Sequence, residues 1–193
     1  VLVLDDRERS DGHPYSYWMT GNDPMVDAQS KELNLAYGLD HIVIDHDRPK
    51  DVKDSRYTAM TGVLRGKPSI TAESGGLGRT DEASIEIHHR GALSAINHLG
   101  IMAAPSVKVA NPVWIDRSEV LTSPATGVWE PAIDQKDAVV AGSLVGRVKD
   151  AAGKILGEVR APFAGVMLYV VGTPPITKGE PVGFVGRVKS DER

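Results

Sequence analysis

The chain of 193 residues contains no cysteine, which excludes a disulfide framework, a thiolate nucleophile and any zinc site built on sulfur. That absence fits a cytoplasmic protein and equally an exported one without bridges. Positive charge is not in excess either. A net charge of −4 and a pI near 5.9 argue against a nucleic-acid partner, which calls for a clustered basic surface. No apolar run approaches the length that spans a bilayer, so no membrane partner is expected. The opening residues "VLVLDDRERSDGH" lack the basic and apolar regions of a signal peptide. Also missing is any H-x-x-E or H-E-x-x-H pair, the helical spacing by which many metal sites announce themselves.

What is present, 41% hydrophobic and 25% charged residues, describes a soluble globular chain long enough for two units. Val1 to Leu4 is apolar and β-rich with no polar lead-in, the texture of a central strand, so sequence upstream of Val1 is expected. Asp23 can cap a helix that has Pro24 at its first position, with an apolar stripe of Val26, Leu33, Ala36 and Tyr37 and a stop at Gly38. His41 to Asp45 reads as a strand, Ser55 to Leu64 as a helix, and Ser69 to Ala72 as a buried strand. From Asp81 to Leu99 the spacing predicts a long helix with apolar Ile85, Leu93, Ile96 and Leu99, Gly100 at its end and Gly91 as a weak point. This alternation predicts an α/β fold with a mixed, largely parallel sheet covered by helices on both faces.

Around Ala103 to Asn111 proline, small residues and valines replace helical periodicity. A boundary is placed there, giving an α/β domain over 1–104 and a β domain over 105–193. The latter carries an internal echo: "SPATGVW" and "VGRVK" return as "APFAGVM" and "VGRVK" about forty residues later. Two such halves suggest a small all-β barrel or sandwich.

Glu73 stands where the strand discharges into a glycine-rich turn holding Gly75, Gly76 and Gly78. A strand end fixes the backbone and leaves room for a ligand, so Glu73 is the candidate general acid or base; the alternative is a surface loop glutamate. Arg56, Tyr57 and Arg65 lie on or beside the preceding helix, where an arginine could clasp a carboxylate bidentately or simply be solvated. Arg79 has the same two readings. Of the six histidines, His88 and His89 are adjacent and diverge on a helix, His98 suits a helix C-terminus, and His41 and His46 read as solvated strand ends. The loop "DGHPYSYW", with His13, Tyr15, Tyr17 and Trp18, reads as an aromatic plug or a pocket wall.

The succession "GKPSITAESGGLG", "RGALSAINHLGIM" and "LTSPATGVWEPAIDQKDAVVAGSLVGRV" resembles the succinylglutamate desuccinylase and aspartoacylase family of zinc-dependent deacylases, related to zinc carboxypeptidases, from about Tyr15 to Gly186. The resemblance implies an amidohydrolase that removes an acyl group from a small N-acylated amino acid, with Zn2+ as cofactor. Glu73 would activate the zinc-bound water and pass its proton to the leaving amine. Family members carry an H-x-x-E pair upstream and a D-x-H element at a strand end. Here Asp5 is followed by Asp6 and Arg7, so the metal ligands are not assignable and missing residues near that loop are expected. The β half also looks like a biotinyl or lipoyl carrier barrel with Lys154 on its hairpin, but "AAGKILGE" lacks the flanking methionines of such carriers. The alternative function is therefore a non-catalytic ligand-binding or carrier module, and a homo-oligomer is left open.

Overall fold

The computed structural model describes residues 2–5, 10–20, 23–46 and 49–189. They form two compact units. The first comprises 2–5, Pro14–Ser74 and Thr80–Asp116; the second comprises 10–13, Gly75–Arg79 and 117–189.

The first unit is a mixed α/β fold. Strands β1 (Leu2–Asp5), β5 (Ile70–Glu73), β3 (Tyr15–Met19), β4 (His41–Asp45) and the start of β6 (Val113–Thr122) lie side by side in that order. The β1–β5, β3–β4 and β4–β6 pairs are parallel, while β3 and β5 run antiparallel. The sheet is thus mixed and largely parallel, as expected. Among the described residues β1 pairs with β5.

Helix α1 (Pro24–Tyr37) forms as its local signals dictate. Asp23 Oδ1 accepts from the backbone N–H of Met25 at 2.8 Å and of Val26 at 3.3 Å, satisfying donors that the first turn leaves open. Gly38 ends the helix at φ +97°, and Val107 packs so close that a side chain there would collide with it. Val26, Leu33, Ala36 and Tyr37 are all buried, and α1 packs on β3, β5 and α3 (Glu82–His98).

Helix α2 (Thr58–Leu64) is shorter than predicted. Ser55 Oγ bonds to the Thr61 hydroxyl at 2.6 Å, and Tyr57 is extended at φ −132°, so side-chain bonding to the incoming chain replaces a first helical turn.

Helix α3 has the predicted extent but not the predicted buried face. Ile85 and Leu99 are 55% and 51% exposed, whereas Gly91, Ser94 and Ala95 are buried. The reason is close approach to α1. The Ser94 hydroxyl donates to the Ala36 carbonyl and accepts from Val107 N–H at 2.8 Å. A Cβ on Gly91 would lie 2.5 Å from the Tyr37 ring, so this glycine is a packing requirement rather than a weak point. Burial pushes the Tyr37 hydroxyl pKa well up, and that hydroxyl meets His88 Nδ1 at 2.8 Å.

In the second unit the described residues form strands and turns. The end of β6 lies beside β13 (Pro181–Val188), followed by β11 (Gly165–Val171) and β2 (Ser10–Gly12), with β8 (Ala138–Val139) also paired to β11. A four-stranded sheet has the order β10 (Ile155–Arg160), β9 (Leu144–Lys149), β7 (Gly127–Pro131) and β12 (Pro175–Ile176). Trp129, Val145, Val148, Met167, Val182 and Val185 are among its core side chains, and Trp129 Nε1–H donates to Val171 O at 3.0 Å.

The sequence echo is physical. Gly127 and Gly165 occupy its equivalent places, and a Cβ at either would meet a carbonyl of the partner strand, Lys149 O or Gly186 O. The two copies of "VGRVK" nevertheless pair in different registers, Val128 opposite Lys149 and Val166 opposite Gly186. Lys154 is exposed after the β9–β10 turn, where Asp150 Oδ1 accepts from its backbone N–H at 2.9 Å. Among the described residues no helix is long and apolar enough to cross a membrane.

Candidate active site

Glu73 is the last residue of β5, as the sequence indicates. The register places Asp5, Glu73, Tyr15, His41 and Val113 opposite one another across β1, β5, β3, β4 and β6. Directly opposed residues share a face, so Glu73, Tyr15 and His41 form one row. Tyr17, two residues along β3, points to the same side.

Within this row the Tyr15 hydroxyl donates to Glu73 Oε2 at 2.9 Å, and the hydroxyls of Tyr15 and Tyr17 are 3.3 Å apart. The two rings meet edge to face at 74°, with centroids 5.4 Å apart. Tyr15 is buried, while Tyr17 and Glu73 are half-buried. On the neighbouring strand His41 Nδ1 lies 2.8 Å from Asp40 Oδ1, a contact that orients the imidazole.

Trp18, one position out of phase, takes the other side: its indole N–H donates to Asp27 O at 2.8 Å, and Lys31 Nζ sits 5.3 Å from its ring and 5.0 Å from that of Trp114. The aromatic loop of the sequence reading is therefore a strand with two faces. Tyr15 and Tyr17 belong to the acid's surroundings, Trp18 to packing. Their period-two spacing is the signal that separates them.

Arg56, Tyr57 and Arg65 line a single groove of about 550 Å³ along α2, together with Lys67 and the hydroxyls of Ser55, Thr58 and Thr61. Glu73 is not part of that lining. Among the described residues the side chains of Arg56, Arg65 and Lys67 have no ion-pair partner. Three unneutralised cations and no carboxylate favour an anionic group there. Arg79 belongs to the second unit.

Three further histidines have partners of their own. His88 meets Tyr37, His89 lies 3.4 Å from Glu86, and His46 Nδ1 is 2.7 Å from the Thr20 hydroxyl. His88 and His89 diverge, as adjacent helical residues must. Segment 6–9, where the D-x-H element would fall, lies outside the described residues. Among the described residues of the first unit no three histidines or carboxylates converge as a catalytic zinc requires.

No protein-family model matches the sequence, and no curated protein is detectably similar to it. Solved structures do match. One of a succinylglutamate desuccinylase/aspartoacylase from Rhodobacter sphaeroides superposes with a TM-score of 0.82 at 22% identity, covering 98% of this chain and 58% of that one. The product-bound ectoine utilization protein EutE from Ruegeria pomeroyi gives 0.84 at 21% identity, with 96% and 57% covered. An aspartoacylase family protein from Mesorhizobium loti gives 0.71 at 20%, with 98% and 57% covered. The chain thus spans less than two thirds of the length of these structures, and over that span it has the fold of the succinylglutamate desuccinylase/aspartoacylase family.

Proposed function

We propose that the protein acts as an amidohydrolase that removes an acyl group from a small N-acylated amino acid or related amide. The observation that carries this reading is the placing of Glu73. In a fold shared with deacylase-family structures, a carboxylate stands at a strand end with a buried phenol fixing one of its oxygens.

Amide hydrolysis needs a group that takes a proton from the attacking water and returns it to the departing amine. Glu73 does both in turn. Tyr15 holds its Oε2 at 2.9 Å, which fixes the carboxylate for this exchange. Arg56 and Arg65, with Tyr57 beside them, would hold an anionic group of the ligand in their own groove, where their planar forks suit bidentate binding.

Zinc belongs to this reading by family resemblance. It would supply polarisation of the amide carbonyl and a water acidic enough to be deprotonated near neutral pH. No step above runs through the metal.

The test is a panel of N-acetyl and N-succinyl amino acids incubated with the full-length protein, with and without added zinc, and scored for release of free amine. Hydrolysis of one acyl class supports the reading. If the amine is never released and mass spectrometry finds biotin or lipoate on Lys154, the protein is a carrier module instead.

A further inference from the structure

We infer that Tyr15 is a positioning residue for Glu73: its buried hydroxyl holds the carboxylate ionised and aimed, and Tyr17 reinforces it from behind. The catalytic meaning of this rests on the deacylase reading; the hydrogen-bond chain itself does not.

The direction of the chain follows from proton counting. An ionised carboxylate only accepts, so Tyr15 must spend its single proton on Glu73 Oε2, at 2.9 Å. The Tyr15 oxygen then offers only lone pairs toward Tyr17, so that at 3.3 Å the Tyr17 hydroxyl is the one placed to donate. A phenol that is itself accepting a hydrogen bond is a stronger donor, so the second tyrosine strengthens the first bond.

The ring of Tyr15 is 1% exposed and clamped edge-on by Tyr17. Its hydroxyl therefore has no alternative position in solvent. β3 and β5 are antiparallel with Tyr15 opposite Glu73, so donor and acceptor are fixed by the sheet rather than by a loop. Among the described residues Tyr15 from β3 bonds to Glu73 and Tyr17 to Tyr15, and His41, held by Asp40, stands in the same register row on β4.

A hydrogen bond to the charged form of a carboxyl favours that form. The experiment is a carboxyl-carbon NMR titration of Glu73 in the full-length protein, using 13C-labelled glutamate, with Glu73→Gln to assign the signal. In Tyr15→Phe, which keeps the ring and removes only the hydroxyl, the midpoint should rise by about one pH unit. In Tyr17→Phe it should rise by less. With a substrate in hand, the acid limb of kcat/KM should move with the NMR midpoint while KM stays close to wild type.

An unchanged midpoint in Tyr15→Phe overturns the proposal, and a larger rise in Tyr17→Phe than in Tyr15→Phe overturns the donor order. If the midpoint moves as expected but Glu73→Gln leaves hydrolysis intact, the positioning stands and the deacylase reading falls.

Discussion

Replacing Gly91 by alanine sets two physical effects against each other. On helix propensity alone the change should stabilise α3 by about 1 kcal/mol. The structure predicts the opposite sign. The new Cβ would stand 2.5 Å from two atoms of the Tyr37 ring and 2.8 Å from a third, and that ring has nowhere to go: it is 1% exposed and tied through its hydroxyl to His88 at 2.8 Å. Forcing a methyl into such a contact costs about 1–3 kcal/mol. Breaking the Tyr37–His88 bond to make room adds roughly 0.5–1.5 kcal/mol. Against the propensity gain, the net is a loss of about 2 kcal/mol, or roughly 4–8 °C in Tm for a chain of this size. Urea denaturation of Gly91→Ala beside wild type, with the double variant Tyr37→Leu/Gly91→Ala, is the assay. The double variant should lose less than the sum of the single ones, because the leucine vacates the space the methyl needs. A Gly91→Ala protein as stable as wild type, or more so, would refute this packing argument.

Gly146→Ala should be at least as damaging in the second unit, because its Cβ would enter the Trp129 ring and stand 2.7 Å from Glu130 O; a loss of roughly 2–3 kcal/mol in chemical denaturation is expected, and a neutral result would contradict the β7–β9 packing. The same unit should weaken in acid. Hydrogen bonds from Arg160 and then Arg147 hold the Glu158 carboxyl below its ordinary 4.5, and Lys149 does the same for Glu130. Their contribution is therefore complete above about pH 4.5 and is lost as the pH falls through the depressed values. Both groups are exposed, so 1 M salt should erase the effect. Glu158→Gln should flatten this limb of the stability profile, and an unaltered limb would remove the ion pairs from the account.

Where structure is local, the sequence was a sufficient guide. The Asp23 cap, Pro24 and Gly38 each act within one turn of α1, and its apolar stripe is the buried one. The start of α2 was misplaced because Ser55 reaches Thr61 rather than solvent, a contact that propensity does not encode. The buried face of α3 was misread for a different reason: helices that approach closely meet through Gly91, Ser94 and Ala95, and small residues leave no hydrophobic signal. The same division runs through the site. The placement of Glu73 at a strand end, and of Arg56, Tyr57 and Arg65 around one short helix, was legible because each lies near in sequence to what positions it. That Tyr15 would hold Glu73 could not, since it depends on β3 running antiparallel to a strand 58 residues away, a pairing that strand–helix alternation argues against.

The account stands on Glu73 exchanging the proton of the hydrolytic step. The most direct measurement is the turnover of Glu73→Gln, with circular dichroism to show that the isosteric variant is folded, on whichever acylated amino acid the wild-type protein cleaves. The prediction is a fall in kcat of about 10²–10⁴-fold. Wild-type turnover by the folded variant would contradict it.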